Sequence, residues 1–234
     1  MPINDAQQRW ERLLPLAGVA FTMLMVAGAA AFPMPPGGDV SPASKPAWLA
    51  AHHNAVIAQS YLRGLAAIVF IALAVAAAGA CRRALSEGST LPALALVGGA
   101  FTGGLLLLAQ AVGLAAALYV RSDGTATTTR ALGTLQDAFL NMSSLPAVLL
   151  FAAVGLAAQR TRFLPRWFIA FTLFGVPFAL LDSISYDSGP LEPVAILGLV
   201  YFLAWGLLAG VQLYLASPRL SAERPREPEL TAAI

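Results

Sequence analysis

Charge is scarce in this chain. Twelve acidic and 14 basic residues make up 11% of its 234 positions, where an average globular domain carries about 25%. So few charges cannot cover the surface of a water-soluble domain. They also exclude a solvated disordered chain and the clustered basic face of a nucleic-acid binder. Cysteine is nearly missing: Cys81 stands alone, so no intramolecular disulfide and no thiolate cluster for zinc or iron–sulfur can form. Histidine occurs only as the adjacent pair His52 and His53. Neighbours on a helix diverge by about 100° and do not chelate one ion. We therefore expect no metal and no cofactor. Lysine occurs once, as Lys45; every other basic residue is arginine.

What is abundant is apolar surface. Hydrophobic residues form 58% of the chain, and the mean hydropathy is +0.73. A membrane span needs about 20 mostly apolar residues. Six runs qualify: 13–32, 56–80, 91–120, 137–158, 164–181 and 194–216. The expected fold is all-α: a polytopic transmembrane bundle of six spans in one domain, 1–216, followed by a disordered tail, 217–234. Pro146 and Pro177 fall inside spans, which neighbouring helices accommodate by absorbing the freed backbone groups. The segments 33–46 and 122–129 read as polar loops, and 47–55 as a short interfacial helix before the second span.

The basic residues orient the bundle. Arg9, Arg12, Arg82, Arg83, Arg160, Arg162, Arg166, Arg219, Arg224 and Arg226 fall on one side, against Lys45, Arg63, Arg121 and Arg130 on the other. The positive-inside rule then places both termini in the cytoplasm of a cell-membrane protein. Trp10 and Trp167 fall at the inner interface and Trp48 near the outer one. A competing reading takes 1–31 as a cleaved signal peptide, but its apolar run is long for one and Asp5 and Glu11 lie in the leading segment.

Polar groups inside spans cost about 2.5–3.5 kcal/mol when charged, so each asks for a reason. Those in the outer half carry the functional reading. Gln59 and Arg63 are four apart on span two and share a face. Asp137, Asn141 and Ser144 form one stripe on span four. Asp182 closes the outer end of span five, Gln110 is central in span three, and Tyr201 and Trp205 lie on span six. Each has a plainer account. Arg63 can snorkel to the interface or pair with Asp137 or Asp182. The Asp137 stripe can serve interhelical hydrogen bonding, and Asp182 can sit solvated in a loop. Gly98–Gly99 and Gly103–Gly104 let helices approach closely, within the bundle or across a homo-oligomer face. Phe168, Phe171, Phe174 and Phe178 follow helical spacing and suit packing or lipid contact.

The segment 160–167 (RTRFLPRW), the 32–39 loop (FPMPPGGD) and 61–65 (YLRGL) resemble small multi-spanning membrane proteins of actinobacteria. That group implies the bundle layout and carries over no catalytic residue. In architecture alone the chain is also similar to integral-membrane terpene cyclases, which depend on acidic residues; the Asp-rich diphosphate signatures of prenyltransferases are absent.

Three functions follow. The first is a bundle that binds or senses a hydrophobic molecule, or acts as an accessory membrane subunit, through Gln59, Arg63, Gln110, Asn141, Tyr201 and Trp205. The second is an isoprenoid cyclase, in which Asp137 or Asp182 protonates an alkene or epoxide and aromatic faces stabilise the carbocation. The third is a small secondary transporter. Membrane lipids and a hydrophobic or isoprenoid ligand are the expected partners.

Overall fold

A computed structural model of the chain describes residues 5–30, 44–121, 125–185 and 192–222. These are helical almost throughout, with no strand among them. The helices are α1 (Asp5–Leu13), α2 (Ala17–Ala30), α3 (Ser44–Ala84), α4 (Leu91–Arg121), α5 (Ala126–Met142), α6 (Ser144–Thr161), α7 (Arg166–Ile184) and α8 (Glu192–Ala222). A single 3-10 turn, Leu14–Leu16, joins α1 to α2 with Pro15 at its start.

Six stretches are long and apolar enough to cross a membrane: Arg9–Ala30, Ala47–Ala84, Leu91–Val120, Ala126–Thr161, Arg166–Ile184 and Ile196–Pro218. Large apolar side chains such as Met23, Ile68, Phe101, Phe174 and Ile196 point outward, each more than half exposed. A belt of this kind suits hydrocarbon and not water. The chain is thus a multi-pass helical bundle, as its composition predicts. Its buried centre is built from Phe21, Phe70, Leu150, Phe151, Phe168 and Trp205.

Three boundaries differ from the sequence reading. The 122–129 segment was expected to be a loop, but α5 begins at Ala126, because Thr125 caps it: its side chain accepts from the Thr128 amide at 3.3 Å. Ser44, Lys45 and Pro46, expected in the preceding loop, already belong to α3. Proline is tolerated in a first helical turn, where its missing N–H has no partner to lose. α8 runs to Ala222 with Pro218 inside it, six residues beyond the expected end of the bundle domain. Residues 31–43, 186–191 and 223–234, which hold most of the expected outer loop, Asp187 and most of the expected tail, lie outside the described residues.

The short helix expected over 47–55 is the first part of α3, set off by non-helical backbone at His52 (φ −117°, ψ 16°). There the His52 ring stacks on Trp48 at 4.7 Å, and its Nδ1 lies 2.9 Å from the Trp48 carbonyl.

α1, the close of α3 and the later part of α8 share one end of the bundle. Arg83, at the close of α3, pairs with Glu11 of α1 at 3.6 Å, and Arg12 lies 5.8 Å over the Tyr214 ring of α8. The opposite end, where α5 meets α6 and α7 finishes, is called the far end below.

Candidate functional site

The far end is where α5 gives way to α6. α5 and α6 together form one crossing of 36 residues, about 54 Å if straight at 1.5 Å per residue, against a hydrocarbon core of about 30 Å. The two helices divide at Ser143, whose backbone keeps helical dihedrals (φ −65°, ψ −22°) and whose hydroxyl turns back onto the Leu140 carbonyl at 2.6 Å. Pro146, in the first turn of α6, fits this restart.

A cavity of about 240 Å³ lies beside this division. Its walls come from five crossings. Met25 stands on α2 and Leu106 on α4; Asn141 and Ser144 flank the division; Phe178 and Asp182 stand on α7; Gly198, Tyr201 and Phe202 on α8. Most of the lining is apolar. Ser144 and Asp182 meet on one wall, and Asn141, Ser143 and Tyr201 also line the cavity.

Asp182 organises that wall. It lies about 24 Å along α7 from Arg166, half-buried, and Ser144 Oγ donates to its Oδ2 at 2.5 Å. The hydrogen bond ties the end of α7 to the start of α6. The other carboxylate oxygen rests on the backbone of Gly198, so closely that a methyl group there would collide with Oδ1. A glycine is needed at 198 for this approach and not for its backbone conformation. Among the described residues no arginine or lysine pairs with Asp182.

Tyr201 stands in a ring of aromatics. Its centroid is 4.7 Å from Phe171, 5.2 Å from Phe178 and 5.9 Å from Phe151. Its hydroxyl donates to the Phe171 carbonyl at 2.6 Å, over the space left by Gly175. Asn141 reaches the cavity with no hydrogen-bond partner among the described residues.

The structure therefore gathers four polar residues singled out in the sequence, Asn141, Ser144, Asp182 and Tyr201, and separates the rest. Asp137 is exposed on α5, outside the cavity walls. Trp205 is fully buried below them, its Nε1 donating to Thr172 Oγ1 at 3.1 Å and its ring 4.9 Å from Phe151. Gln59 serves the α2–α3 contact by donating to the Gly28 carbonyl at 3.1 Å. Arg63 packs on the same glycine, with its Nε buried and unpartnered, and pairs with neither aspartate. Gln110 is buried in α4 against Gly64 of α3. Sequence reasoning missed Gly198, Phe151 and Phe202. The small residues of span six, with an acid near the end of span five, were the available sign of Gly198.

Comparison with known protein families, characterised proteins and solved structures finds no match to this chain.

The phenylalanine stripe of α7 divides its work. Phe168 is in the core, Phe171 and Phe178 surround Tyr201, and Phe174 is 58% exposed on the outer face. Of the α4 glycines, Gly98, Gly99 and Gly103 face neighbours within the chain, on α6 and α3, while Gly104 has open space beside it. What the site can do chemically follows from its contents: a carboxyl group, an amide and several aromatic rings enclose a small apolar space. It holds no thiol or imidazole, and no group of three or more metal-ligating residues occurs among the described residues.

Proposed function

We propose that this protein resides in the cell membrane, with both termini cytoplasmic, and binds a small hydrophobic molecule in the far-end cavity. One observation carries the reading: a mostly apolar cavity with a few polar side chains among its walls, Ser144 and Asp182 joined to each other, is the general form of a small-molecule site. The orientation rests on the excess of arginine at the end shared by α1, the close of α3 and the later part of α8. Exposed Trp10 and Trp167 at that end suit an interface.

Native mass spectrometry of the detergent-purified protein tests the binding. A discrete hydrophobic species should accompany wild type and be lost from Ala147→Phe, which fills the cavity. Bulk phospholipid alone in both samples would sink the reading and favour an accessory subunit held by a protein partner. Cysteines placed at 125 and 162 test the orientation: the first should label from outside and the second should not. Native Cys81 is buried and stays silent.

A second reading is a terpene cyclase with Asp182 as proton donor. The observation favouring it is that Asp182 shares the cavity with Phe151, Phe178, Tyr201 and Phe202 and has no arginine partner. Aromatic faces suit a carbocation. Incubation with linear isoprenoid alkenes or epoxides should then yield a cyclic product in wild type and none in Asp182→Asn. Unchanged substrate in both would exclude it.

A further inference from the structure

We propose that the occupant of the far-end cavity is a single-chain amphiphile with a nitrogen cation as its head group, and that it arrives from the hydrocarbon through the side of the bundle. The inference rests on the cavity being a binding site, as proposed above.

The first argument is an inventory of hydrogen-bonding capacity. Three hydroxyl groups line the cavity, and each has already placed its proton. Ser144 donates to Asp182, Ser143 to the Leu140 carbonyl and Tyr201 to the Phe171 carbonyl. What remains for an occupant is acceptor capacity at Asp182 and on the hydroxyl oxygens, plus the Asn141 amide. Among the described residues no lysine, arginine or histidine stands on the walls. A carboxylate or phosphate head would find one amide donor and face an acid. An ammonium head would find acceptors and no competing cation.

The second argument is electrostatic. An acid set in apolar surroundings without a counter-ion is costly, and Ser144 supplies only one hydrogen bond against that cost. A cationic occupant supplies the missing charge. The aromatic rings beside Asp182 add to this, because their faces attract cations, more so where water is excluded.

Size and access define the rest of the molecule. About 240 Å³ falls below the ~300–1,000 Å³ of common small-molecule sites, which suits one short chain. Leu199 belongs to the cavity wall and is also 51% exposed on the outer surface of α8. A tail entering past Leu199 would come from the lipid around α8.

Three probes with one tail and different heads test the proposal: decylamine, decanoic acid and decanol. Each is dialysed to equilibrium against the full-length protein in zwitterionic nanodiscs, with empty nanodiscs subtracted. Decylamine should bind saturably and at least tenfold more tightly than either other probe. Asp182→Asn should remove that preference by about tenfold, and Asp137→Asn, outside the cavity, should leave it intact. If Asp182→Asn does not fold, Gly198→Ala serves instead, since its methyl group displaces Oδ1, and it should weaken decylamine in the same sense. Decanoic acid or decanol binding as well as decylamine, or a decylamine preference that survives both cavity variants, would overturn the inference while leaving the binding site in place. No saturable binding of any probe to wild type would overturn the binding reading and this inference together.

Discussion

Helix α8 carries two glycine contacts that work on opposite terms. Gly206 and Gly210 meet Gly18 of α2 backbone to backbone: a methyl group on Gly18 would strike the Gly206 carbonyl, and one on Gly210 would lie 2.8 Å from the Pro15 carbonyl. About two turns earlier, Gly198 meets the carboxylate of Asp182. In the first contact the missing side chain brings two helices together. In the second it makes room for a polar group beside a cavity. The seam gives stability through contact area, because apolar lipid offers no hydrophobic drive for helices to associate. The cavity gives up such contact and leaves a carboxyl group beside open space.

Substitutions should separate the two. The largest effect is expected in the seam. Gly18→Leu forces a branched side chain against fixed backbone atoms and should prevent folded protein from accumulating, as size-exclusion chromatography in detergent would show. Folded, monodisperse Gly18→Leu protein would mean that the α2–α8 contact is looser than described. Gly99→Ala comes next: its methyl group would collide with the Ala74 side chain of α3, and overpacking of this kind costs about 1–3 kcal/mol, visible as a lowered unfolding temperature. Trp205→Phe removes the donor to buried Thr172 and should cost about 1–2 kcal/mol, measured the same way. Gly198→Ala should fall below these, within about 1 kcal/mol, because the atom displaced is the far end of a flexible side chain, whereas the Ala74 Cβ cannot move without its backbone. Its main effect should be on ligand occupancy. A Gly198→Ala loss as large as that of Gly99→Ala would erase the distinction between seam and cavity. Smallest of all, Gly104→Ala meets open space and should be neutral or gain up to about 1 kcal/mol from helix propensity.

The number of crossings was legible in the sequence because hydrocarbon thickness sets span length directly. The rotation of each helix was not. A helix that is apolar all round has no polar face to mark its inside, so Gln59, Arg63, Gln110 and Trp205 could be placed in depth and not in azimuth. The stripe of Asp137, Asn141 and Ser144 assumed one continuous helix. The division at Ser143 falls between its second and third members, and Asp137 is exposed while the other two face the cavity. The hydrogen bond between Ser144 and Asp182 spans 38 positions, and no local pattern announces a pairing at that separation. The helix start at Ala126 was readable: Thr125 is an ordinary capping residue, hidden among four threonines.

The closing of α8 onto α2 also fixes an order of events during synthesis. Gly18 is made well before its partners Gly206 and Gly210. Until α8 emerges, α2 is held by α3 alone of its two main neighbours, with a bare glycine groove turned to lipid. α8 fills the groove, and Arg12 of α1 lies over its Tyr214 ring. A chain cut short of residue 206 keeps the earlier helices and leaves Gly18 uncovered.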